Sequence, residues 1–334
     1  MKSVDEIPAL AVVIPAYNAA TYLRRSLKAL REASPDVPVT VVDPGSSDDT
    51  SAVAEELGAR VIRLPQREGP ARARNVGVKE TPAEVILFLD SDCVPHDDVT
   101  EKVERAFAEE PGLVSLTGSY DAKPPGPGFF SQYMNLRHRF FHQHARREDA
   151  TFWAGCGAVR RESFLALGGF DAERYPRPQI EDIELGLRLR GAGITRLDPE
   201  LQVTHLKQWS LRDVVMTDIQ CRAIPWARLI LTTGELPNDL NLGWSQRFAS
   251  LLAPLALLAV VALPVALLLG SWGAAGVCVL PLAASLALHA GWLRFFAQLR
   301  GGGFALRAWW FHQVHLFYSA VTLVLVTLSH LIRR

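Results

Sequence analysis

Cysteine is scarce in this chain: Cys93, Cys156, Cys221 and Cys278 are the only four in 334 residues, scattered and without a C-x-x-C pair. That excludes a disulfide framework, points to no zinc site, and fits a reducing compartment. A charge surplus is missing too. Lys and Arg total 35 against 35 Asp and Glu, so no global field draws the chain to nucleic acid or to an acidic partner. The opening Met1-Lys2-Ser3-Val4-Asp5-Glu6 carries acids and no apolar signal core, so secretion is not expected. No internal repeat is visible.

What is there begins with apolar length. From Phe248 to Gly270 no residue is charged. At about 1.5 Å per helical residue this spans a bilayer core of about 30 Å. Ser271 to Trp292 is again uncharged apart from His289, after a tight Gly-Ser-Trp-Gly turn, so a transmembrane hairpin is expected. Trp309 to Ile332 is a weaker third span, interrupted by His312, Gln313 and His315. Arg294, Arg300 and Arg307 between the second and third spans put that loop in the cytoplasm. The N-terminal domain then faces the cytoplasm from the inner membrane. Arg333 and Arg334 conflict mildly with three spans, which leaves two or three open.

The first 120 residues alternate strand and helix. Strands are expected at Leu10–Pro15, Val37–Val42, Arg60–Leu64, Val85–Leu89 and Leu113–Gly118, with helices at Ala19–Ala33, Ser47–Leu57, Pro70–Lys79 and Asp97–Glu109. Such alternation specifies a doubly wound, Rossmann-like, mostly parallel α/β sheet. Lys123-Pro124-Pro125-Gly126-Pro127-Gly128 breaks the pattern and is expected to form a mobile loop. Phe129–Arg147 reads as a basic, aromatic helix whose His138, His142, Arg137 and Arg139 make a solvated or headgroup-facing side. Leu211–Thr233, with Arg212, Arg222 and Arg228 against Trp226, Leu229 and Ile230, reads as an interfacial helix lying on lipid. The expected division is a catalytic domain over 1–210, interfacial helices over 211–247 and transmembrane helices over 248–334.

Chemistry gathers at strand ends. Asp90-Ser91-Asp92 closes the apolar run Val85–Leu89, where two carboxylates suit Mg²⁺ or Mn²⁺ bridging to phosphates. Pro15-Ala16-Tyr17-Asn18 ends the first strand, and Asp43-Pro44-Gly45-Ser46 ends the second. Ala71-Arg72-Ala73-Arg74-Asn75 opens the third helix, where guanidinium groups suit a diphosphate. Open α/β sheets bind ligands in the crevice at the strand C-termini, so these clusters converge on one nucleotide-sized site.

Together with Gly168-Gly169-Phe170-Asp171 and Glu181-Asp182, these motifs make the chain resemble the family 2 glycosyltransferases of GT-A fold over about residues 8–210. The resemblance implies a nucleotide-diphosphate-sugar donor, with uridine the commoner base. Pro15, Tyr17, Asn18, Asp43, Gly45, Arg74, Asp90, Ser91 and Asp92 would line its site, with Asp92 on a Mn²⁺ or Mg²⁺ ion. It also implies that Asp182 deprotonates the acceptor in a single inverting displacement, and that His205 is a second metal ligand. Trp153, Glu181 and Trp226 stand on the acceptor side in this reading. A carboxylate at a helix N-terminus should have a lowered pKa, which would keep Asp182 ionised at neutral pH.

A polyprenyl phosphate acceptor needs no base, so Asp182 favours a hydroxyl on a lipid-linked or glycan acceptor. Processive synthases resembling this family carry Q-x-x-R-W. Here Gln220-Cys221-Arg222-Ala223-Ile224-Pro225-Trp226 displaces the Trp and inserts a proline, which argues against polymerisation with export. Two other classes remain. A sugar-nucleotide nucleotidyltransferase would open with a glycine-rich loop where Pro15-Ala16-Tyr17-Asn18 stands; a silent membrane scaffold would not need every acidic motif.

Overall fold

Strands that are apolar at every position need cover on both faces, and the sheet here has it. The computed structural model describes residues 7–234 and 243–332. The opening hexapeptide, the final Arg333-Arg334 pair and 235–242 of the expected interfacial segment lie outside the described residues. The chain divides into two compact units, Met1–Trp209 and Ser210–Arg334.

In the first unit the order is β1 (Leu10–Pro15), α1 (Ala20–Ala33), β2 (Val39–Asp43), α2 (Thr50–Glu56), β3 (Arg60–Arg63), α3 (Pro70–Glu80) and β4 (Val85–Leu89). Then come β5 (Cys93–Pro95), α4 (Val99–Glu109), β6 (Leu113–Tyr120), α5 (Phe129–His144), β7 (Cys156–Arg160), α6 (Arg161–Ala166), α7 (Glu181–Arg190) and β8 (Ile194–His205). The eight strands form one sheet in the order β3-β2-β1-β4-β7-β6-β8-β5. β3, β2, β1 and β4 run parallel. The far half is mixed: β7 lies antiparallel between β4 and β6, and β5 antiparallel to β8.

Successive residues of a strand face opposite ways, and the core divides accordingly. Leu10, Val12 and Ile14 of β1, with Leu87 and Leu89 of β4, pack with Leu23, Leu27 and Leu30 of α1 and Val103 and Phe107 of α4. Ala11, Val13, Ile86 and Phe88 go to the other face, with Val78, Phe164, Leu185 and Leu189 from α3, α6 and α7. Phe88 sits among Phe152, Phe164 and Phe170 with ring centroids 5.4–6.3 Å away. This rigid middle layer holds the β1, β2 and β4 tips in register (Pro15 opposite Val42, Val13 opposite Phe88).

Two expectations about the later segments are overturned. The basic helix α5 is not a solvated face. Tyr133, Asn135, Arg137 and His142 are buried, His142 Nδ1 donates to the Gly118 carbonyl at 2.9 Å, and Arg139 Nη1 to that of Tyr120 at 2.8 Å. α5 covers β6 and β8, so its polar side chains satisfy strand-end carbonyls. The loop before it is pinned: Gln132 Nε2 donates to the carbonyls of Pro124 at 2.9 Å and Gly126 at 2.6 Å.

The second unit is helical. α8 (Leu211–Met216), a π-helical turn (Thr217–Ala223) and α9 (Ile224–Thr233) replace the single expected interfacial helix. A capping box starts it, Ser210 and Asp213 exchanging side-chain and backbone bonds. The π turn turns Asp218 inward. It is buried, held by Arg222 at 2.8 Å, Tyr318 Oη at 2.7 Å and His315 Nδ1 at 2.9 Å. Arg222 therefore pairs with a buried acid of the same helical stretch.

α10 (Trp244–Leu268), α11 (Trp272–Leu288), α12 (Ala290–Arg300) and α13 (Gly302–Ile332) follow. α10 and α13 are long and apolar enough to cross a membrane. The expected second span is broken: α11 and α12 meet at a 68° bend, so two spans, or three if the bent pair is one, fit by length and composition. α10 buries the small stripe Ala249, Ala253, Ala256 and Ala259 and exposes Leu251, Leu255 and Leu258. Small residues inward and leucines outward is how helices pack when the surroundings are as apolar as they are.

Candidate active site

The β1 and β2 tips are laced together. Asn18 takes φ +47°, a left-handed conformation Asn tolerates. Its Oδ1 accepts from Ser47 N–H at 2.8 Å, while its own N–H donates to Ser46 Oγ at 2.9 Å. Asp43 is buried and accepts from Ser46 N–H at 2.8 Å and Ser51 Oγ at 2.6 Å. The turn it organises places Gly45 at φ +81°. Tyr17 remains open beside this turn, with the Arg67 guanidinium 4.6 Å above its ring.

Arg74, on the first turns of α3, is buried between two acids, with Nη2 2.6 Å from Asp90 Oδ1 and Nη1 3.2 Å from Glu181 Oε1. Burial opposes its charge, but Asp90, Glu181 and Asp182 outweigh that and raise its pKa. Its neighbour Asn75 clamps the Gly-Gly-Phe-Asp turn, donating to the Phe170 carbonyl at 2.8 Å and accepting from the Phe170 N–H at 2.9 Å. Gly168 and Gly169 both have positive φ there, and a Cβ on Gly169 would sit 2.6 Å from Asn75 Oδ1. That turn leads towards α7, which opens with Glu181 and Asp182.

The second acidic centre follows from the β5–β8 pairing. Cys93 lies opposite His205, and Leu206 N–H donates to the Asp92 carbonyl at 2.8 Å. His205 Nε2 is thereby 3.3 Å from Asp92 Oδ2. The ligand atoms of Asp92, Cys93 and His205 lie within 4.8 Å of one another, as in no other such trio among the described residues. Burial pushes the Cys93 thiol well up, and its soft sulfur is a poor match for a hard cation. A carboxylate and an imidazole remain, a donor set that fits Mn²⁺. Burial alone would raise Asp92, but His205 and Lys207 beside it bring its carboxyl below the ordinary value.

Asp182 is linked to Asp90 across one stretch of backbone. The Gly155 carbonyl accepts from Asp90 N–H at 3.1 Å, and the next N–H back, of Ala154, donates to Asp182 Oδ2 at 3.4 Å. Burial first, then the neighbouring Glu181, push the Asp182 carboxyl up to about 7, against Arg74 and two backbone N–H groups. The expectation of a lowered pKa is therefore overturned: two donors at a helix start do not offset desolvation plus a like charge on the adjacent residue.

Glu181, expected beside the acceptor, turns inward to Arg74 and accepts from Gln179 N–H at 2.7 Å. Trp153 is half-buried against Tyr120, His138 and His142, at centroid distances of 4.8–5.1 Å. Pro15 and Ser91 sit half-buried at the β1 and β4 tips. Trp226 belongs to α9 of the second unit. Sequence reading missed Arg67 over Tyr17, and Asn135 and Tyr120 around His205. None belongs to a local motif, and only the Ser131–Asn135 spacing of one helical turn hints that Asn135 faces the sheet.

A mannosyltransferase from Pyrobaculum calidifontis, solved with GDP-Man and Mn²⁺, is similar in fold, with a TM-score of 0.59 at 16% identity over 96% of this chain and 88% of that one. Glucosyl-3-phosphoglycerate synthase from Mycobacterium tuberculosis, solved with Mn²⁺, UDP and glucosyl-3-phosphoglycerate, gives 0.50 at 21% identity over 68% of this chain and 80% of that one. In sequence, the pre-mycofactocin glycosyltransferase of Mycobacterium tuberculosis is 28% identical over 216 residues, 61% of this chain and 44% of that protein. The chain spans about half or less of the length of the first curated relatives it matches. Residues 11–168, a little under half of the chain, match the domain described as glycosyl transferase family 2.

Proposed function

We propose that this chain is a membrane-anchored, metal-dependent, inverting glycosyltransferase. It passes a sugar from a nucleoside-diphosphate donor to a hydroxyl of a lipid-linked or glycan acceptor at the cytoplasmic face of the membrane. What supports this is the backbone bridge at Ala154–Gly155, which links Asp182 to Asp90, two residues from Asp92.

Asp92 and His205 would hold a divalent ion, Mn²⁺ suiting the nitrogen ligand better than Mg²⁺. When bound, it offsets the charge that develops on the departing diphosphate. Tyr17 and the loop shaped by Asp43, with Gly45 and Asn18, offer the nucleoside an open ring and an uncrowded backbone. Asp90, held by Arg74, would face the ribose, with Pro15 and Ser91 at the neighbouring strand tips. Asp182 in its ionised form accepts the proton of the acceptor hydroxyl. That oxygen bonds to the anomeric carbon from the face opposite the leaving group. The bond from that carbon to the phosphate oxygen breaks, its electrons leaving with the nucleoside diphosphate. The configuration at the anomeric carbon inverts.

Trp153, next in sequence to Ala154, would wall the acceptor side. The apolar α10 and α13 anchor the chain, the arginines near the α12–α13 junction favouring a cytoplasmic orientation. Solved neighbours hold GDP-Man in one case and UDP in another, so UDP- and GDP-sugars are the donors to compare.

The test is release of nucleoside diphosphate by the full chain in detergent with Mn²⁺. Asp92→Ala and Asp182→Asn should each lower turnover by about 10²–10⁴-fold with unchanged secondary structure. Full activity in both variants refutes the reading. Release of pyrophosphate or of a nucleoside monophosphate would instead indicate nucleotidyl transfer.

A further inference from the structure

His205 is held from three sides by residues that no motif contains. Tyr120 lies flat on its ring, at 4.5 Å between centroids and 7° between planes. The β5–β8 pairing fixes its backbone opposite Cys93. The third contact sets the proton. Asn135, buried on α5, places Oδ1 2.5 Å from His205 Nδ1. The Asn135 amide cannot be turned the other way, because its NH₂ donates to the Ser131 carbonyl at 2.9 Å. An amide oxygen accepts only, so Nδ1 must carry the hydrogen. In the neutral ring the lone pair then belongs to Nε2.

That lone pair points into the gap where Asp92 Oδ2 lies 3.3 Å away. With the ring neutral, two electron-rich atoms face one point, a geometry that a divalent cation would fit. We propose that Asn135 is a positioning residue: it fixes His205 in the tautomer and ring orientation that offers Nε2 to the metal. The inference rests on the metal reading above, and deepens it by naming what prepares the site before any ion arrives. Partners that orient a ligating histidine commonly matter 10–100-fold in metal affinity.

The experiment is Mn²⁺ binding to the full chain in detergent, read by electron paramagnetic resonance of free Mn²⁺, without donor and with UDP or GDP. Asn135→Leu, which cannot accept, should bind 10–100-fold more weakly. Asn135→Ala stands in if leucine overpacks the site, and melting in EDTA checks the fold. Asn135→Asp, which still accepts from Nδ1, should return within about threefold of the parent. Electron-spin-echo modulation from a ligating ¹⁴N should be present in the parent, absent in His205→Ala and weakened in Asn135→Leu.

Parent-like affinity in Asn135→Leu overturns the proposal. Equal weakness of the Leu and Asp variants also overturns it, because packing rather than the accepted hydrogen bond would then be the cause. Parent-like affinity in His205→Ala, or no Mn²⁺ uptake by the parent, overturns the metal reading itself, a different failure.

Discussion

Replacing Glu181 by Gln tests how the fold sets the strength of its base. Asp182 is raised to about 7, with burial the larger cause and the charge of Glu181 the next. Gln keeps an oxygen for Arg74 Nη1 and removes the negative charge, at the cost of the bond that the second Glu181 oxygen accepts from Gln179 N–H. At ~5 Å and an effective dielectric of about 20, two like charges repel by roughly 3 kcal/mol. Arg74 lies against Glu181 and attracts Asp182 as well, and offsets part of this. The residual corresponds to about 1–2 pH units.

Because the base works ionised, activity climbs as pH rises through its pKa. The parent kcat/KM for the donor, which reports the free enzyme, should therefore have an acid limb near pH 7. In Glu181→Gln that limb should move down by about 1–2 units, so the variant overtakes the parent in mildly acidic buffer. Its plateau should fall somewhat, since a weaker base pulls less on the proton. The assay is a pH profile with Mn²⁺ fixed and melting recorded at each pH. A limb that stays in place, or moves up, refutes the electrostatic account of Asp182.

Asp182→Asn, besides its loss of turnover, should stabilise the metal-free protein at pH 8. A carboxyl raised in the folded state favours folding below its unfolded value and loses that contribution as pH rises through about 7. The parent's melting temperature should fall across that window, and the variant's should not. Gly118→Ala should cost about 1–3 kcal/mol by overpacking, since its Cβ would lie 2.4 Å from the Leu201 carbonyl and 3.1 Å from Cys156 Sγ; an unchanged melting temperature contradicts this. Asp218→Ala in the helical unit should cost about 3–5 kcal/mol, because the Arg222, Tyr318 and His315 groups lose a buried acceptor. Thermal unfolding in detergent measures it, and a parent-like melt would show that the ion pair is not structural.

The strands of the first unit were legible because burial of a two-faced strand leaves a continuous apolar run. Leu10–Pro15 and Val85–Leu89 hold the bounds expected of them. The motif carboxylates were legible for the same reason: they stand where such a run stops. The break in the second apolar stretch was not, since His289 is uncharged when neutral and the 68° bend there leaves no composition signal. α5 was misread because its arginines and histidines look like solvent-facing groups until the carbonyls they satisfy, Gly118 and Tyr120, are placed beneath them.

By itself, the sequence determined the alternation of strands and helices, the ordered acidic and basic motifs, and the long uncharged stretches. Those are local properties, carried by spacing of two, three or four residues. Tertiary structure alone decided which side chains meet: Arg74 with Glu181 across 107 positions, and Asn135 with His205 across 70. Such pairs depend on where crossovers return each strand tip, and no local period encodes that. The strength of the base belongs with them, because a carboxylate's pKa is set by the burial and charges around it rather than by its place at a helix start.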